Sequence, residues 1–158
     1  MKKIDITVPV EALSYDELTE SERALVDKAR EYTTHAYAPY SHFNVGAAIG
    51  LENGEVVPGA NQENAAFPSG TCAERTACYA AGARFPGVKF KEIAVAARGT
   101  DGLELATPVA PCGACRQALL EYETLAGRPV PVLLVGRDAI YRLPSVASLL
   151  PLAFTQID

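Results

Sequence analysis

The sequence has no apolar stretch long enough to cross a membrane. Its longest uncharged apolar run is the short segment 130–136, far below the ~20 residues that a bilayer-spanning helix needs. The first ten residues combine two lysines with an aspartate and hold no long apolar stretch, so we expect no secretory signal. These absences predict a cytoplasmic protein with no membrane partner.

A basic stripe is also missing. The formal net charge is -5, and the lysines and arginines are scattered among acidic residues. Since phosphate contacts supply much of the affinity for nucleic acids, we expect no polynucleotide partner. The 158 residues, 49% of them hydrophobic, suffice for one core, so we interpret residues 1–158 as a single domain.

Residues that bind metals are few. The two histidines, His35 and His42, lie far in the sequence from the four cysteines, and we interpret both as ordinary surface or core residues. Without a secretory signal the cysteines are expected to be reduced thiols. Metal binding or catalysis is then a better explanation for them than disulfide bonds.

Hydrophobic periodicity predicts alternating helices and strands. Thr19 and Glu22 fit a capping box at the start of a helix over 19–36, which Pro39 prevents from continuing. Asn53-Gly54 predicts a hairpin turn. The remaining segments are strands at 45–51, 55–60, 92–98, 130–136 and, at an edge, 139–143, with helices at 72–84 and 112–122. This order predicts a three-layer α/β/α domain on a mixed five-stranded sheet.

Two short motifs fall where these helices begin: Thr71-Cys72-Ala73-Glu74-Arg75 and Pro111-Cys112-Gly113-Ala114-Cys115-Arg116-Gln117. The free N–H groups of a helix start stabilise thiolates. Three thiolates, from Cys72, Cys112 and Cys115, would leave the fourth tetrahedral position of a zinc ion open for water, as in catalytic sites. Glu74 is then a candidate proton carrier, and Arg75 or Arg116 a candidate donor to the thiolates.

Simpler explanations exist for each of these residues. A structural zinc site would need a fourth ligand, and the spare cysteine, Cys78, lies about 120° around the helix from Cys72. Glu74 could merely favour the helix dipole. Asn61 and Glu63 could serve turn formation after the hairpin, and Phe43 could belong to the core.

Four blocks of sequence carry a family resemblance: Y-A-P-Y-S-H-F-N-V-G-A-A-I, G-A-N-Q-E-N-A-A-F-P, C-A-E-R-T-A and P-C-G-A-C-R-Q. In order and spacing they resemble the cytidine deaminase family in its short homotetrameric form, from about Tyr37 to Tyr122 and more weakly to Phe154. The C-A-E and P-C-x-x-C blocks are also the general signature of zinc deaminases.

The resemblance implies one Zn2+ per chain, held by Cys72, Cys112 and Cys115, with Glu74 as the proton carrier. It implies that Asn61 and Glu63 grip the ribose hydroxyls and that Phe43 packs near the base. It further implies a homotetramer in which Phe154 reaches the site of a neighbouring subunit.

The expected activity is the hydrolytic deamination of cytidine and deoxycytidine in pyrimidine salvage. A related deaminase acting on a nucleoside-like antibiotic, of the blasticidin S type, is the second hypothesis, since the N-x-E pair favours a ribose. Polynucleotide editing ranks third because the basic surface is missing. A zinc-stabilised interaction module ranks fourth.

Overall fold

A six-stranded mixed sheet forms the centre of the molecule. The computed structural model describes residues 1–155, and the strand order in the sheet is β1-β6-β5-β4-β2-β3. The elements run, in chain order, β1 Glu11–Leu13, α1 Glu20–Tyr32, β2 Asn44–Leu51, β3 Val56–Ala60, α2 Ala73–Arg84, β4 Phe90–Arg98, α3 Gly113–Ala126, β5 Val132–Val135 and β6 Ile140–Leu143. Four short 3-10 turns complete them at Tyr15–Glu17, Thr33–His35, Phe67–Ser69 and Val146–Leu149.

The predicted fold class is confirmed, with one strand more than the five expected. The additional strand, β1, pairs antiparallel with β6, so β6 is not the edge strand that we predicted. The three residues of β1 are too few to show an alternating pattern, and only the long-range partner makes the segment a strand. Parallel pairing occurs between β4 and β5, and the other neighbours pair antiparallel.

The first helix begins as predicted and ends earlier. The backbone N–H of Thr19 donates to Oε2 of Glu22 at 2.8 Å, and the N–H of Glu22 donates to Oγ1 of Thr19 at 3.3 Å, which completes the capping box. The helix stops at Tyr32 because the hydroxyls of Thr33 and Thr34 bond to carbonyls one turn back, at 2.7 and 2.8 Å. A 3-10 turn replaces the predicted last turn.

Helices cover both faces of the sheet, so the architecture has three layers. Along β4, Ile93 and Val95 pack towards α2 and α3, while Ala94 and Ala96 belong to the cluster that includes α1. The strand therefore alternates between two cores, as a central strand does. No helix within residues 1–155 is long and apolar enough to span a membrane.

Glycines allow the helices to lie close to the sheet. A Cβ added at Gly59 in β3 would come within 2.5 Å of the backbone nitrogen of Ala77 in α2. One added at Gly46 in β2 would come within 2.1 Å of the carbonyl oxygen of Ala29 in α1. Close approach of α2 to β3 places the start of α2 beside the residues that follow β3.

Candidate metal centre and active site

Two helix starts present the cysteines. Cys72 is the N-cap of α2 and Cys112 is the N-cap of α3, each in an extended backbone conformation and without a capping hydrogen bond from its side chain. Cys115 follows in the first turn of α3. The first N–H groups of a helix lack partners within the helix, and the helix dipole adds partial positive charge there, so a helix start favours thiolates.

The three predicted ligands lie together. The sulfur atoms of Cys72, Cys112 and Cys115 are all within 4.8 Å of one another. The Cys72–Cys112 separation is 4.0 Å and the Cys112–Cys115 separation is 3.5 Å. Tetrahedral zinc with Zn–S bonds of ~2.3 Å needs sulfurs ~3.8 Å apart, so this donor set fits one zinc ion.

Among the described residues, no fourth ligand joins the three cysteines. Within residues 1–155, the metal-ligating cluster contains these three cysteines and no further histidine, cysteine or carboxylate. Cys78 is fully buried in the apolar core, where burial raises the pKa of its thiol to about 12. A tetrahedral zinc ion held by these three described ligands would keep one coordination position open, as catalytic zinc sites do.

Arg75 is the arginine that faces the sulfurs. Its Nη2 lies 3.9 Å from Sγ of Cys72, and its Nε is buried without a hydrogen-bond partner among the described residues. Hydrogen bonds from the Cys115 thiol and from Arg75 lower the pKa of Cys72 to about 5. The guanidinium of Arg116 bonds to carbonyl groups at Pro111 and Leu149 instead, so the alternative donor role predicted for Arg116 is not seen.

Glu74 lies buried beside this cluster. The residue is 5% exposed, and it lines the same cavity as Cys72 and Cys112. Burial raises the pKa of its carboxyl group, and the negative charge of Cys72 raises that pKa further. A carboxyl group whose pKa is shifted towards neutrality by burial is suited to take up and release protons.

A cavity of about 490 Å3 opens onto the cysteines. This volume is within the usual range for small-molecule sites. Two of the predicted site residues, Cys115 and Phe154, do not line it. The other seven do: Phe43, Asn61, Glu63, Cys72, Glu74, Arg75 and Cys112. Sequence reasoning missed other lining residues, among them Gln62, Asn64, Phe67, Val95 and Val109. Gln62 and Asn64 flank Glu63 in the sequence, and this adjacency to a predicted site residue is the sequence feature that could have identified them.

The side chain of Asn61 is engaged by the protein's own backbone. Its Oδ1 accepts a hydrogen bond of 2.7 Å from the N–H of Val45, and its Nδ2 donates one of 2.9 Å to the carbonyl of Phe43. Asn61 therefore fixes the start of β2 and, with it, the position of Phe43. One hydrogen on Nδ2 remains for a ligand in the cavity.

Glu63 holds the loop that precedes β2. Its Oε2 accepts hydrogen bonds from the N–H groups of Tyr40 at 2.9 Å and Ser41 at 3.2 Å. Hydrogen bonds from Ser41 and from the Tyr40 backbone lower the pKa of Glu63. The same loop contains His42, which has φ 55°. Glu63 is thus an ionised acceptor whose other oxygen remains for a ligand.

Phe154 lies away from the cavity in its own chain. The residue is 67% exposed, and it is absent from the cavity lining. Its backbone carbonyl accepts a 2.8 Å hydrogen bond from Nε2 of Gln117 in α3. Phe154 therefore does not join the cavity of its own chain, and its role at the site of a neighbouring subunit stays a prediction.

Both the sequence and the fold of the chain are similar to those of known proteins. Residues 19–126 match the family described as the cytidine and deoxycytidylate deaminase zinc-binding region. A cytidine deaminase of Sporosarcina psychrophila is 41% identical over 135 residues, covering 85% of this chain and 91% of the relative.

Solved structures are similar over a comparable extent. The 1.6 Å crystal structure of cytidine deaminase from Burkholderia pseudomallei has 40% identity and a TM-score of 0.70, covering 87% of this chain and 100% of that one. Cytidine deaminase from Mycobacterium tuberculosis has 30% identity and a TM-score of 0.67, covering 87% of this chain and 99% of that one.

Proposed function

The chain belongs to the cytidine deaminase family, and we propose that it converts cytidine and deoxycytidine to uridine and deoxyuridine with Glu74 as its proton carrier. One observation carries this proposal: a cluster of three thiols at two helix starts borders, through Cys72 and Cys112, a cavity that also holds a buried carboxyl group. The reaction is a zinc-dependent hydrolysis.

Cys72, Cys112 and Cys115 hold the zinc ion. When bound, zinc acidifies a water molecule and stabilises negative charge that develops on oxygen. Three thiolates reduce the net positive charge of the metal site, and two helix starts with Arg75 offset part of that reduction. Arg75 thereby supports the acidity on which the reaction depends.

Glu74 moves the protons. It accepts a proton from the attacking water, whose oxygen forms a bond to C4 of the pyrimidine ring. Glu74 then returns that proton to N3. It next carries the proton of the new C4 hydroxyl to the amino group, so that the C4–N bond breaks as the C4=O bond forms and ammonia is released. Its burial supports this role, because a buried carboxylate binds a proton more readily than an exposed one.

Asn61 and Glu63 hold the sugar. Each has part of its side chain engaged by the backbone of β2 or of the loop before it, which fixes its direction, and each keeps one hydrogen-bonding group for the cavity. An amide donor and a carboxylate acceptor suit the hydroxyl groups of a ribose. Phe43, whose carbonyl Asn61 fixes, supplies an apolar surface for the base.

The charges around the cavity favour a nucleoside over a nucleotide. Among the described residues that line the cavity, Arg75 is the one cation, and its guanidinium faces the sulfur of Cys72. Glu63 adds a negative charge at the same cavity. A 5′-phosphate would therefore find no free cationic partner among the described lining residues.

A homotetramer completes the proposal. Phe154 is held on α3 through its backbone while its ring stays exposed, which presents the ring to a neighbouring copy. The free thiols at the metal site suit a reducing compartment, so we place the enzyme in the cytoplasm. From its family we assign it to pyrimidine salvage.

Ultraviolet absorbance of the pyrimidine tests the proposal directly. The zinc-loaded protein is expected to deaminate cytidine and deoxycytidine, to lose this activity to a chelator and to regain it with zinc. Free cytosine should have a kcat/KM roughly 10⁴-fold lower, because its reaction leaves Asn61 and Glu63 without their partners. Equal rates on cytosine and cytidine would contradict the proposed site, as would full activity in metal-free protein.

A further inference from the structure

A buried carboxylate at the far end of α3 holds the C-terminal segment, residues 145–150. Glu123 is 9% exposed and accepts four hydrogen bonds. Three come from this segment: the hydroxyl of Ser145 at 2.7 Å and the N–H groups of Val146 at 2.7 Å and Ala147 at 3.1 Å. The fourth comes from the N–H of Val130 at 2.8 Å. Glu123 thus caps the 3-10 turn Val146–Leu149 and fastens it to α3.

The end of the same turn is tied to the metal centre. Arg116, the residue after Cys115, donates from Nη1 to the carbonyl of Leu149 at 2.7 Å. It also donates from Nε to the carbonyl of Pro111 at 2.7 Å, and Pro111 directly precedes Cys112. One planar guanidinium therefore bridges the C-terminal segment and the turn that presents two of the three cysteines.

The chemistry of this bridge argues for a positioning role. Arg116 is in no ion pair among residues 1–155, and its hydrogen bonds go to neutral carbonyl groups on two separate segments. A fork with two fixed donors sets the distance and angle between the groups that it joins. If the segment moves away, Arg116 loses one of its two anchors and the turn at Pro111 loses its brace.

We propose that the docked C-terminal segment is part of the support of the zinc site, so that zinc retention depends on Glu123 through Leu149 and Arg116. Glu123 and Arg116 are positioning residues in this arrangement and touch neither the substrate nor the reacting atoms. The proposal rests on the zinc site and is independent of which pyrimidine is the substrate. Groups that orient metal ligands from outside the ligand set commonly change metal affinity by about 10–100-fold.

The test measures how fast the zinc-loaded full chain releases its ion to a colorimetric chelator. Glu123→Gln keeps the size of the side chain but replaces one acceptor oxygen with an NH2 group. This NH2 group would face N–H or O–H donors and could not accept their hydrogen bonds. We expect it to speed zinc release about tenfold or more. Arg116→Lys keeps the positive charge and removes the two-donor fork, and it should have an effect in the same direction.

Glu22→Gln is the matched control for loss of stability. Glu22 is also a buried carboxylate, 6% exposed, bonded to Arg142 and Thr19 on the opposite face of the sheet. Release is compared at temperatures equally far below each variant's own Tm. The proposal predicts faster release in Glu123→Gln and wild-type release in Glu22→Gln.

Three results would overturn the proposal: equal release from the two glutamine variants, wild-type release from Glu123→Gln, or wild-type release from Arg116→Lys. Should Glu123→Gln fail to fold, Arg116→Lys decides alone, because its charge and its helix are preserved. Deamination of cytidine is measured separately. If the zinc-loaded wild-type protein fails to deaminate cytidine while the variants release zinc as predicted, the proposed function is contradicted and this inference stands.

Discussion

Asn61 and Val45 are joined by a 2.7 Å hydrogen bond from the Val45 N–H to Oδ1 of Asn61. The other end of the amide bonds to the carbonyl of Phe43 at 2.9 Å. Asn61, which is predicted to bind a ligand, therefore also stabilises the start of β2, and one side chain serves both roles. Fixing both ends of the amide holds its remaining hydrogen in one direction before a ligand arrives, which lowers the cost of binding.

Asn61→Ala is expected to reduce stability as well as binding. It removes the partners of the Val45 N–H and the Phe43 carbonyl, and each unsatisfied group that is partly buried costs up to about 1–3 kcal/mol. Urea unfolding should show the loss, and KM for cytidine should rise. Asn53→Ala, in the exposed hairpin turn, is the control, and an Asn61→Ala protein as stable as that control would contradict the dual role.

X-ray absorption at the zinc edge should show three sulfur ligands and one lighter atom. The expectation follows from three clustered thiols and the lack of a fourth protein ligand among the described residues. Zn–S distances near ~2.3 Å are expected for the three cysteines. Four such distances would indicate a closed structural site, and metal analysis should give one zinc per chain.

Glu74→Gln is expected to fold, to keep zinc and to lose about 10²–10⁴ in kcat. Glutamine preserves the size of the buried side chain but cannot exchange the proton. Steady-state kinetics, with metal content and Tm measured on the same preparation, check the prediction. Glu121→Gln, an exposed carboxylate on α3, should behave as wild type. Near-normal turnover in Glu74→Gln would remove Glu74 from the mechanism.

Protonation of Glu22 in acid should lower the free energy of unfolding. Burial opposes its ionisation, but hydrogen bonds from Arg142 and Thr19 outweigh burial and lower its pKa below the ordinary value of 4.5. The folded state then binds the proton less readily than the unfolded state. The contribution of ionised Glu22 to the free energy of unfolding is therefore fully present above the ordinary pKa of 4.5. It disappears as the pH falls through the lowered pKa of the folded state.

Glu22→Gln should accordingly flatten the dependence of the free energy of unfolding on pH below about pH 4.5. Denaturant unfolding at a series of acid pH values measures this slope. Glu20→Gln, on the exposed side of the same helix, serves as the comparison. An unchanged slope in Glu22→Gln would show that the bonds to Arg142 and Thr19 do not shift this ionisation.

Sedimentation is expected to give the mass of four chains at micromolar concentration. The exposed ring of Phe154 should then belong to the site of a neighbouring copy. Phe154→Ala should weaken binding of cytidine more than it lowers Tm, since the ring contributes little to the packing of its own chain. Leu152→Ala, another exposed apolar residue of the same tail, is the control. A fully active monomer on dilution would defeat this prediction.

The sequence by itself determined the parts that depend on neighbouring residues. The capping box at Thr19, the hairpin at Asn53-Gly54 and the cysteines at two helix starts all follow from spacing within a few positions. The C-x-x-C spacing predicts two ligands from one helix turn, and the third ligand is predicted by its own helix start. The chemistry of the metal centre could therefore be inferred without a fold.

The tertiary structure decided whatever depends on segments far apart in the chain. Strand β1 exists because β6 supplies its hydrogen bonds, and no local pattern marks it. Spacing also does not show that Asn61 braces Phe43, or that Arg116 bonds to Leu149 rather than to a sulfur. A polar side chain bonds to whichever group the fold brings within about 3 Å, and that choice belongs to the packing of helices against the sheet.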